Sequence, residues 1–409
     1  MKKIALLLLL CFCIPFFSAC QNNTANNSDV TEDELEEPKK DLGGIEFIWR
    51  QTYPKENIFG FTENSVFANS ATVRKNDIEN DLNCKITVEN TEWAQIPSLL
   101  MAATATADQF ADIVNAADET QKNLMKSDLL VPLDELVEFL DYKDSRKWGT
   151  PGMLETVMWD SKVYGVRASL WPERYPAFYT PIIFNQTLTA GFNHADPREY
   201  VEKGEWTRDK FTQLLQDCTV NDGENRIYGL STFPNFIFAM AIRANGGQAV
   251  RKEGDKYVND MGSPENIDAI QWGMDLITNN KDSFLFGSGW TGIMDPFLKG
   301  EAAMLMYPTW GLFSSVGMKL ESWGLLPFPN GPGREYGDWA AYYDGNDFFM
   351  TIPRNSEYPE DVAYMLNELC EPLDDYPTYE DLMTYYERNL FHDKRDFELY
   401  FQMSENCRY

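Results

Sequence analysis

The sequence offers few residues of the types and spacing that covalent catalysis requires. Only two histidines occur, His194 and His392, so a Ser-His-Asp triad or a histidine-rich zinc site would depend on one isolated residue. A GxGxxG pattern spans Gly287 to Gly292. No clear helix start and no correctly spaced acid follow it, which indicates a loop rather than a dinucleotide site. We therefore expect no cofactor, no metal site and no catalytic residue.

Aromatic side chains, 14% of the chain, are the more informative chemical feature. Flat rings pack against the C–H faces of sugars, and carboxylates, amides and guanidinium groups bond the hydroxyls. The net charge of -29 makes nucleic acid and anionic membrane surfaces poor partners. The charge describes the surface and does not define a ligand. Four cysteines of the later chain permit disulfides but do not require them: Cys84, Cys218, Cys370 and Cys407.

The N-terminus has the pattern of an export signal. Lys2 and Lys3 precede an apolar run, 4–17, that is too short to span a bilayer comfortably. The run ends in Phe-Ser-Ala-Cys at 17–20 and resembles a bacterial lipobox, which implies cleavage before Cys20 and lipidation of its thiol. The alternative is an ordinary signal peptide with an incidental cysteine. We expect a signal peptide over 1–19, a disordered tether over 20–42 and a folded part anchored to the outer face of the cell membrane.

After residue 43, β-prone runs alternate with helical patterns. The runs at 45–49, 84–88 and 111–115 predict strands, and 66–82 and 96–106 predict helices. This alternation indicates an α/β fold, and the length of 409 residues predicts two lobes rather than one core.

Two later helices have clear start signals. Thr207 is placed to cap the first, and Ser263 with Pro264 the second. In the second helix, Ile267, Ile270, Met274 and Ile277 recur at helical spacing, which supports the prediction of a helix.

Ligands of open α/β sheets bind beyond the carboxyl ends of the strands. This rule makes Trp49, at the end of the first predicted strand, a candidate. It also selects the residues that end or follow the third predicted strand, namely Asn115, Asp118 and Glu119.

Six sequence blocks follow one another in an order that resembles the extracellular solute-binding proteins, the family that includes maltose-binding protein. DSKVYGV at 160–166 resembles the family's DGKvYGvP, and the other blocks lie at 184–185, 204–211, 297–310, 324–332 and 352–369. The resemblance implies a two-lobed, type II periplasmic-binding-protein-like fold of the α/β class. Hinge strands would cross between the lobes at 163–171 and 348–352. Lobe 1 would comprise 43–165 plus 348–372, and lobe 2 would comprise 166–347 plus 373–409.

The same resemblance implies a function and several site residues. It implies a monomeric, non-enzymatic receptor that delivers a small polar ligand, such as a sugar or oligosaccharide, to ABC permease subunits. Trp310 matches a tryptophan that stacks on sugar, and Asp118 and Glu119 lie where the family places a sugar-binding acid. Arg167 replaces a usual proline and could bind hydroxyls or a carboxylate, or form a surface salt bridge. The remaining candidates, for which packing is an equally good explanation, are Trp49, Trp171, Tyr175, Trp290, Trp339, Tyr342 and Asp344.

Two alternatives of different classes stay open. The first is a secreted carbohydrate-active enzyme, a lyase or hydrolase, although no carboxylate pair stands out from the 64 acidic residues. The second is a surface sensor of the same fold that takes no part in transport. Turnover of glycans would indicate the enzyme, and permease genes beside this one would indicate transport.

Overall fold

The computed structural model describes residues 39–53, 58–61, 65–174, 178–223, 225–254, 256–312, 319–343 and 348–407. The expected signal peptide, Cys20, Tyr175 and Asp344 lie outside these residues. The strands, in chain order, are β1 Ile45–Gln51, β2 Cys84–Asn90, β3 Ile113–Ala117, β4 Met158–Trp159, β5 Lys162–Val163, β6 Gly165–Val166, β7 Ile182–Asn185, β8 Val220–Asn221, β9 Arg226–Thr232, β10 Val250–Glu253, β11 Lys256–Asn259, β12 Phe284–Phe286, β13 Ala302–Met306, β14 Trp323–Leu326 and β15 Phe348–Thr351.

Helices fill most of the connections between these strands. They are α1 Phe67–Asp81, α2 Ile96–Thr106, α3 Asp118–Lys126, α4 Ser145–Trp148, α5 Pro151–Leu154, α6 Gln186–Gly191, α7 Arg198–Glu202, α8 Arg208–Asp217, α9 Pro234–Ala244, α10 Pro264–Asn279, α11 Gly289–Leu298, α12 Thr309–Gly311, α13 Pro359–Leu369, α14 Tyr379–Asn389 and α15 Lys394–Glu405. Among the described residues, none of these helices combines the length and the apolar character needed to cross a bilayer.

Two mixed sheets form the framework. The first has the strand order β2-β1-β3-β15-β6, in which β1 is parallel to β2 and β3, and β15 runs antiparallel to β3 and β6. The second has the order β12-β9-β13-β7-β14, with β12, β9 and β13 parallel to one another. Strands β13 and β7, from the middle of the second sheet, are buried along their whole length, as expected of strands covered on both faces.

Local sequence signals account for much of this framework. The first two strands begin where predicted, and the third lies two residues later than the predicted 111–115. The side chain of Thr207 accepts a hydrogen bond from the Lys210 amide at 3.2 Å, and Trp206 packs on Phe211 with 6.0 Å between ring centroids. The cap predicted for α8 is therefore confirmed, and the contact of Trp206 with Phe211 adds a hydrophobic staple to the same helix start.

The helix predicted after Ser263 is confirmed as α10, but its apolar positions are only partly buried. Ser263 caps this helix and Pro264 begins it, as expected. However, Ile267 and Met274 are 57% and 51% exposed. The buried positions of the helix are Asn266, Ala269, Gly273 and Leu276.

The four cysteines of the described region are separate thiols: Cys84, Cys218, Cys370 and Cys407. Burial raises the pKa of the Cys218 thiol to about 12 and that of Cys370 likewise to about 12. Neutral thiols are poor nucleophiles, so these two cysteines serve as small apolar core residues. The described fold depends on packing rather than on disulfides.

Candidate functional site

Three parallel strands of the second sheet end at the same edge, and an aromatic residue follows each of them. Phe233 comes directly after β9, Tyr307 directly after β13, and Trp290 lies four residues beyond the end of β12. Because β12, β9 and β13 are adjacent and parallel, their carboxyl ends place these side chains together. This is the edge at which open α/β sheets bind ligands.

The rings at this edge are in direct contact. Trp290 lies 5.3 Å from Phe233, 6.0 Å from Phe236, 5.3 Å from Tyr307 and 5.4 Å from Trp310 between ring centroids. Tyr307 and Trp310 are themselves 5.1 Å apart. We call these five residues the aromatic cluster. Most of the pairs meet edge to face, the arrangement that the quadrupoles of aromatic rings favour.

Two members of the aromatic cluster remain open to solvent. Trp290 and Trp310 are 40% and 42% exposed, whereas Phe236 and Tyr307 are buried beneath them. Burial also raises the pKa of the Tyr307 hydroxyl well above its usual value, so that it stays a neutral hydrogen-bonding group. The result is a rigid apolar base with two indole rings at its surface, which suits a ligand with a flat apolar face.

A crossing segment from the first sheet reaches the aromatic cluster. The Phe178 amide donates to Oγ1 of Thr309 at 2.9 Å, and the Thr309 amide donates to the Phe178 carbonyl at 3.0 Å. Beside them, Tyr179 and Tyr342 form an isolated bridge with backbone hydrogen bonds of 2.8 and 3.2 Å. The segment entering the second sheet is therefore fixed next to Trp310.

The edge of the first sheet contributes polar groups. Asn115 is buried in β3, and its side-chain amide donates to the Ile58 carbonyl at 3.3 Å. Asp118 is buried at the start of α3 and accepts a hydrogen bond from the Glu119 amide at 2.8 Å, while the Glu119 side chain is exposed. Burial lowers the pKa of Lys122, and the carboxylates of Asp118 and Glu119 oppose this effect. Lys122 therefore lies close enough to Asp118 and Glu119 to interact with their charges.

The structure brings together only some of the predicted site residues. Trp290 and Trp310 meet in the aromatic cluster, Asp118 and Glu119 directly follow the carboxyl end of β3, and Asn115 lies in the middle of that strand. Arg167, which follows β6, is partly buried.

The other tryptophan candidates contact their neighbours as core residues do. Packing was the alternative to ligand binding that the sequence left open for them. Trp49 and Trp171 are fully buried in the main core, and Trp339 is almost completely buried against Tyr336 at 4.9 Å. The Trp171 indole donates to the Glu371 carbonyl at 3.0 Å. Tyr342 is also buried, with the Arg243 guanidinium 5.3 Å from its ring centroid.

The GxGxxG segment differs from expectation. It is not a simple loop, because α11 begins at Gly289, inside the motif and soon after β12. Gly287 packs so closely on Gly292 that an added Cβ would lie 2.2 Å from the Gly292 carbonyl oxygen, and Gly289 has a φ of +71°. These glycines permit a tight turn that positions Trp290 on the first turn of α11.

Sequence analysis missed Phe233, Phe236 and Tyr307. The signal that could have found Phe233 and Tyr307 is their position directly after a strand, the same rule that selected Asn115 and Asp118. The rule selects residues of the first sheet only, because sequence signals do not single out the individual strands of the second sheet. Phe236 has no such signal and is recognised only by its ring contacts.

Comparison with known families decides the classification. The family profile described as bacterial extracellular solute-binding protein matches residues 78–368, more than two thirds of the chain. The chain belongs to the bacterial extracellular solute-binding proteins. Comparison with curated protein sequences finds no match.

Solved structures of other solute-binding proteins share the fold. An ABC substrate-binding protein of Listeria monocytogenes in complex with cycloalternan has a TM-score of 0.61 at 17% identity, covering 89% of this chain and 87% of that one. The sugar-binding protein MalE of Xanthomonas citri has a TM-score of 0.63 at 13% identity, with coverage of 89% and 86%. The GacH receptor of Streptomyces glaucescens, studied unliganded and with acarbose, has a TM-score of 0.59 at 13% identity, with coverage of 89% and 87%. The expected two-lobed α/β fold is thereby confirmed.

Proposed function

We propose that this solute-binding protein captures an oligosaccharide on the aromatic cluster and delivers it to an ABC importer. The observation that carries the proposal is the pair of exposed indoles, Trp290 and Trp310, over a buried base of aromatic rings. A pyranose presents an apolar C–H face to such rings. Three proteins of the same fold are described with a sugar or a sugar mimic as ligand or as sugar-binding, which supports the choice of ligand class.

Polar groups of the first sheet complete the proposed site. The exposed carboxylate of Glu119 supplies an acceptor for the ligand's hydroxyls, and the buried Asp118 fixes the Glu119 backbone by accepting from its amide. Ligand contacts to both sheets would favour a closed form, which the permease subunits would recognise. In this proposal the protein binds its ligand and returns it unchanged.

The experiment that tests this function is a binding screen with the whole mature protein. Thermal-shift measurements against neutral and acidic mono- and oligosaccharides, followed by calorimetry, should find a carbohydrate that raises the melting temperature without being consumed. A protein that is stabilised only by amino acids, peptides or other non-carbohydrates would contradict the sugar proposal. Release of shortened products would indicate the enzyme instead.

We further propose that the protein is held at the cell surface by lipid on Cys20. The motivating observation is the basic, apolar leader that ends in Phe17-Ser18-Ala19-Cys20. Cys20→Ala should release the protein into the medium or leave it unprocessed, because the modified thiol is the only lipid attachment that the sequence suggests. Mass spectrometry of the membrane-bound protein measures the modification. Ser28→Ala, in the expected tether outside the signal, is the control and should stay anchored, and an unmodified mature N-terminus would contradict the proposal.

A further inference from the structure

The carboxyl edge of the first sheet also carries aromatic side chains. Tyr53 lies two residues beyond the end of β1, and Phe348 begins β15. In the register of the sheet, Phe348 lies opposite Ala117, the last residue of β3. Because β15 runs antiparallel to β3, the start of β15 meets the ends of β1 and β3 at one edge. Both rings therefore lie at the edge where open α/β sheets bind ligands.

The two rings meet over the end of β3. Strands β1 and β15 flank β3, so two strand spacings separate their backbones by about 10 Å. The ring centroids of Tyr53 and Phe348 are nevertheless only 4.6 Å apart. Ala117, which lies between them, has only a methyl side chain and leaves room for the rings to lean together. We call Tyr53 and Phe348 the aromatic platform.

Neighbouring residues hold the Tyr53 side of the aromatic platform in place. The Asn90 side chain donates to the Tyr53 carbonyl at 2.6 Å. Gly60, with a φ of +69°, packs so closely on the ring that an added Cβ would lie 2.5 Å from it. The Asn115 side chain donates to the Ile58 carbonyl at 3.3 Å and so fixes the segment that carries Gly60. The position of the ring is thus set before a ligand arrives, which lowers the entropic cost of binding.

Both rings of the aromatic platform are partly exposed, unlike the other aromatic residues of these strands. Phe47, Trp49 and Phe349 are buried in the main core. Phe349 follows Phe348 directly along β15, so its side chain points to the opposite face of the sheet. Core packing accounts for these three residues, but it leaves part of each platform ring accessible.

An exposed carboxylate follows the same strand end. Glu119 lies two residues after Ala117, and its side chain is exposed, while Asp118 accepts from the Glu119 amide at 2.8 Å. A flat apolar surface beside a carboxylate combines the two contacts that a sugar needs, one for its C–H face and one for its hydroxyls. The first sheet thus offers the chemistry of a sugar subsite of its own.

We propose that the aromatic platform is a second sugar subsite, so that the protein takes an oligosaccharide with one ring on the aromatic cluster and another on the platform. Each sheet then holds a different ring of the same ligand. A monosaccharide occupies only one of the two surfaces, so the protein selects for chain length, and only a longer ligand favours the closed form. The inference rests on the proposed function, because it specifies how the first sheet binds the same ligand.

The test measures affinity against chain length. Maltose to maltopentaose, cellobiose to cellopentaose, and the matching xylan and mannan oligomers are titrated by calorimetry, each series beside its monosaccharide. In the series that binds most tightly, the unaltered protein should bind the best oligomer at least roughly tenfold more tightly than the monosaccharide, the scale of one well-packed aromatic contact. Tyr53→Ala should remove most of this gain and leave the monosaccharide affinity unchanged.

Two variants serve as controls for Tyr53→Ala. Tyr53→Phe keeps the ring and should keep the gain in affinity with chain length. Tyr358→Ala removes a tyrosine that is 37% exposed, but this residue lies beyond the far end of β15, at the start of α13. This variant should also keep the full gain.

X-ray scattering supplies a readout that a merely structural role would not change. The tightest-binding oligomer at saturation should reduce the radius of gyration of the unaltered protein, because the ligand joins the two sheets. Tyr53→Ala should still bind this oligomer at high concentration but should not become more compact. If Tyr53→Ala does not fold, Phe348→Leu takes its place, because leucine keeps an apolar side chain and removes the flat face.

Three results would overturn the inference. They are equal affinity for the monosaccharide and its oligomers, a gain with chain length that persists in Tyr53→Ala or Phe348→Leu, and full compaction of either variant at saturation. Any of these results, obtained with an oligosaccharide that binds, leaves the proposed function in place. Absence of binding by every carbohydrate tested would overturn both.

Discussion

Replacing Trp310 with alanine should weaken carbohydrate binding roughly 5- to 150-fold. The indole is 42% exposed and lies beside Trp290 on a base of buried rings. Loss of a stacking face of this kind costs about 1–3 kcal/mol, and 1.4 kcal/mol is a factor of ten in affinity. The free energy of unfolding should fall much less than the 3–5 kcal/mol expected of a core tryptophan, because a large part of this ring contacts solvent already.

Trp159→Ala provides a matched control for this prediction. Trp159 is 45% exposed, but it lies on strand β4, under the Lys126 ammonium at 5.1 Å from the ring centroid. Its loss should leave affinity unchanged. Calorimetric affinity and melting temperature are measured on both variants. An unchanged affinity in Trp310→Ala, together with a sharply lowered melting temperature, would assign this ring to packing.

The Trp290 and Trp310 substitutions should also be coupled. Their rings are in contact, so each helps to orient the other, and contacting residues rarely have additive effects. The double variant should lose more affinity than either single variant. If the double variant has the same affinity as Trp310→Ala, Trp290 contributes to binding only by orienting the Trp310 ring.

The parts of the fold that the sequence predicted are those with local causes. Thr207 caps α8 and Pro264 begins α10 through interactions confined to a few neighbouring residues. The first strands are likewise apolar runs between turn residues. Such signals depend little on what the element later packs against, which explains why the starts of these elements were predicted well.

The pattern of burial along α10 has a tertiary cause. Gly273 packs against Phe238 of α9, and an added Cβ at Gly273 would lie only 3.1 Å from that ring. Side chains as large as those of Ile267 and Met274 would not fit at this contact. Asn266 is buried because its amide donates to the carbonyls of Gln248 at 2.8 Å and Asp260 at 2.6 Å. Helical spacing marks the stripe of Ile267, Ile270, Met274 and Ile277, whereas close approach and hydrogen bonding bury the neighbouring stripe, one residue earlier.

The candidate site also contains residues that a sequence signal identifies and residues that only tertiary packing identifies. Trp310 was predicted from a resemblance, and Asn115 from the position of its strand. Phe236 entered the aromatic cluster only through packing between α9 and α11, which no local pattern encodes.

A second large effect is expected at the buried ion pair of Arg198 and Asp396. The guanidinium Nη1 lies 2.7 Å from the Asp396 carboxylate, its Nε lies 2.8 Å from Asp196, and both members of the main pair are almost completely buried. The Leu325 amide also donates to Asp396, at 2.8 Å. These contacts attach α15 to strand β14 of the second sheet.

Arg198→Met should lower the free energy of unfolding by about 3–5 kcal/mol at pH 8, because it leaves the Asp396 carboxylate buried without its cation. Burial raises the pKa of Asp396 to about 7, and Arg198 opposes that rise. A carboxyl whose pKa is higher in the folded state than in the unfolded chain contributes stability at low pH that is lost as pH rises through the folded value. Removing Arg198 raises this pKa further, so the loss should be larger at pH 8 than at pH 5. Denaturant unfolding at both values measures it.

The partner substitution separates a lost ion pair from lost packing. If the buried charge is the cause, Arg198→Met with Asp396→Leu should recover much of the stability and remove the pH dependence, because neither charge then remains uncompensated. Lys203→Met is the matched control: its exposed pair with Glu199 should be worth less than about 1 kcal/mol. A double variant as unstable as Arg198→Met, with the same loss at pH 5 and pH 8, would show that the arginine acts through packing on the Phe184 ring, 5.2 Å away.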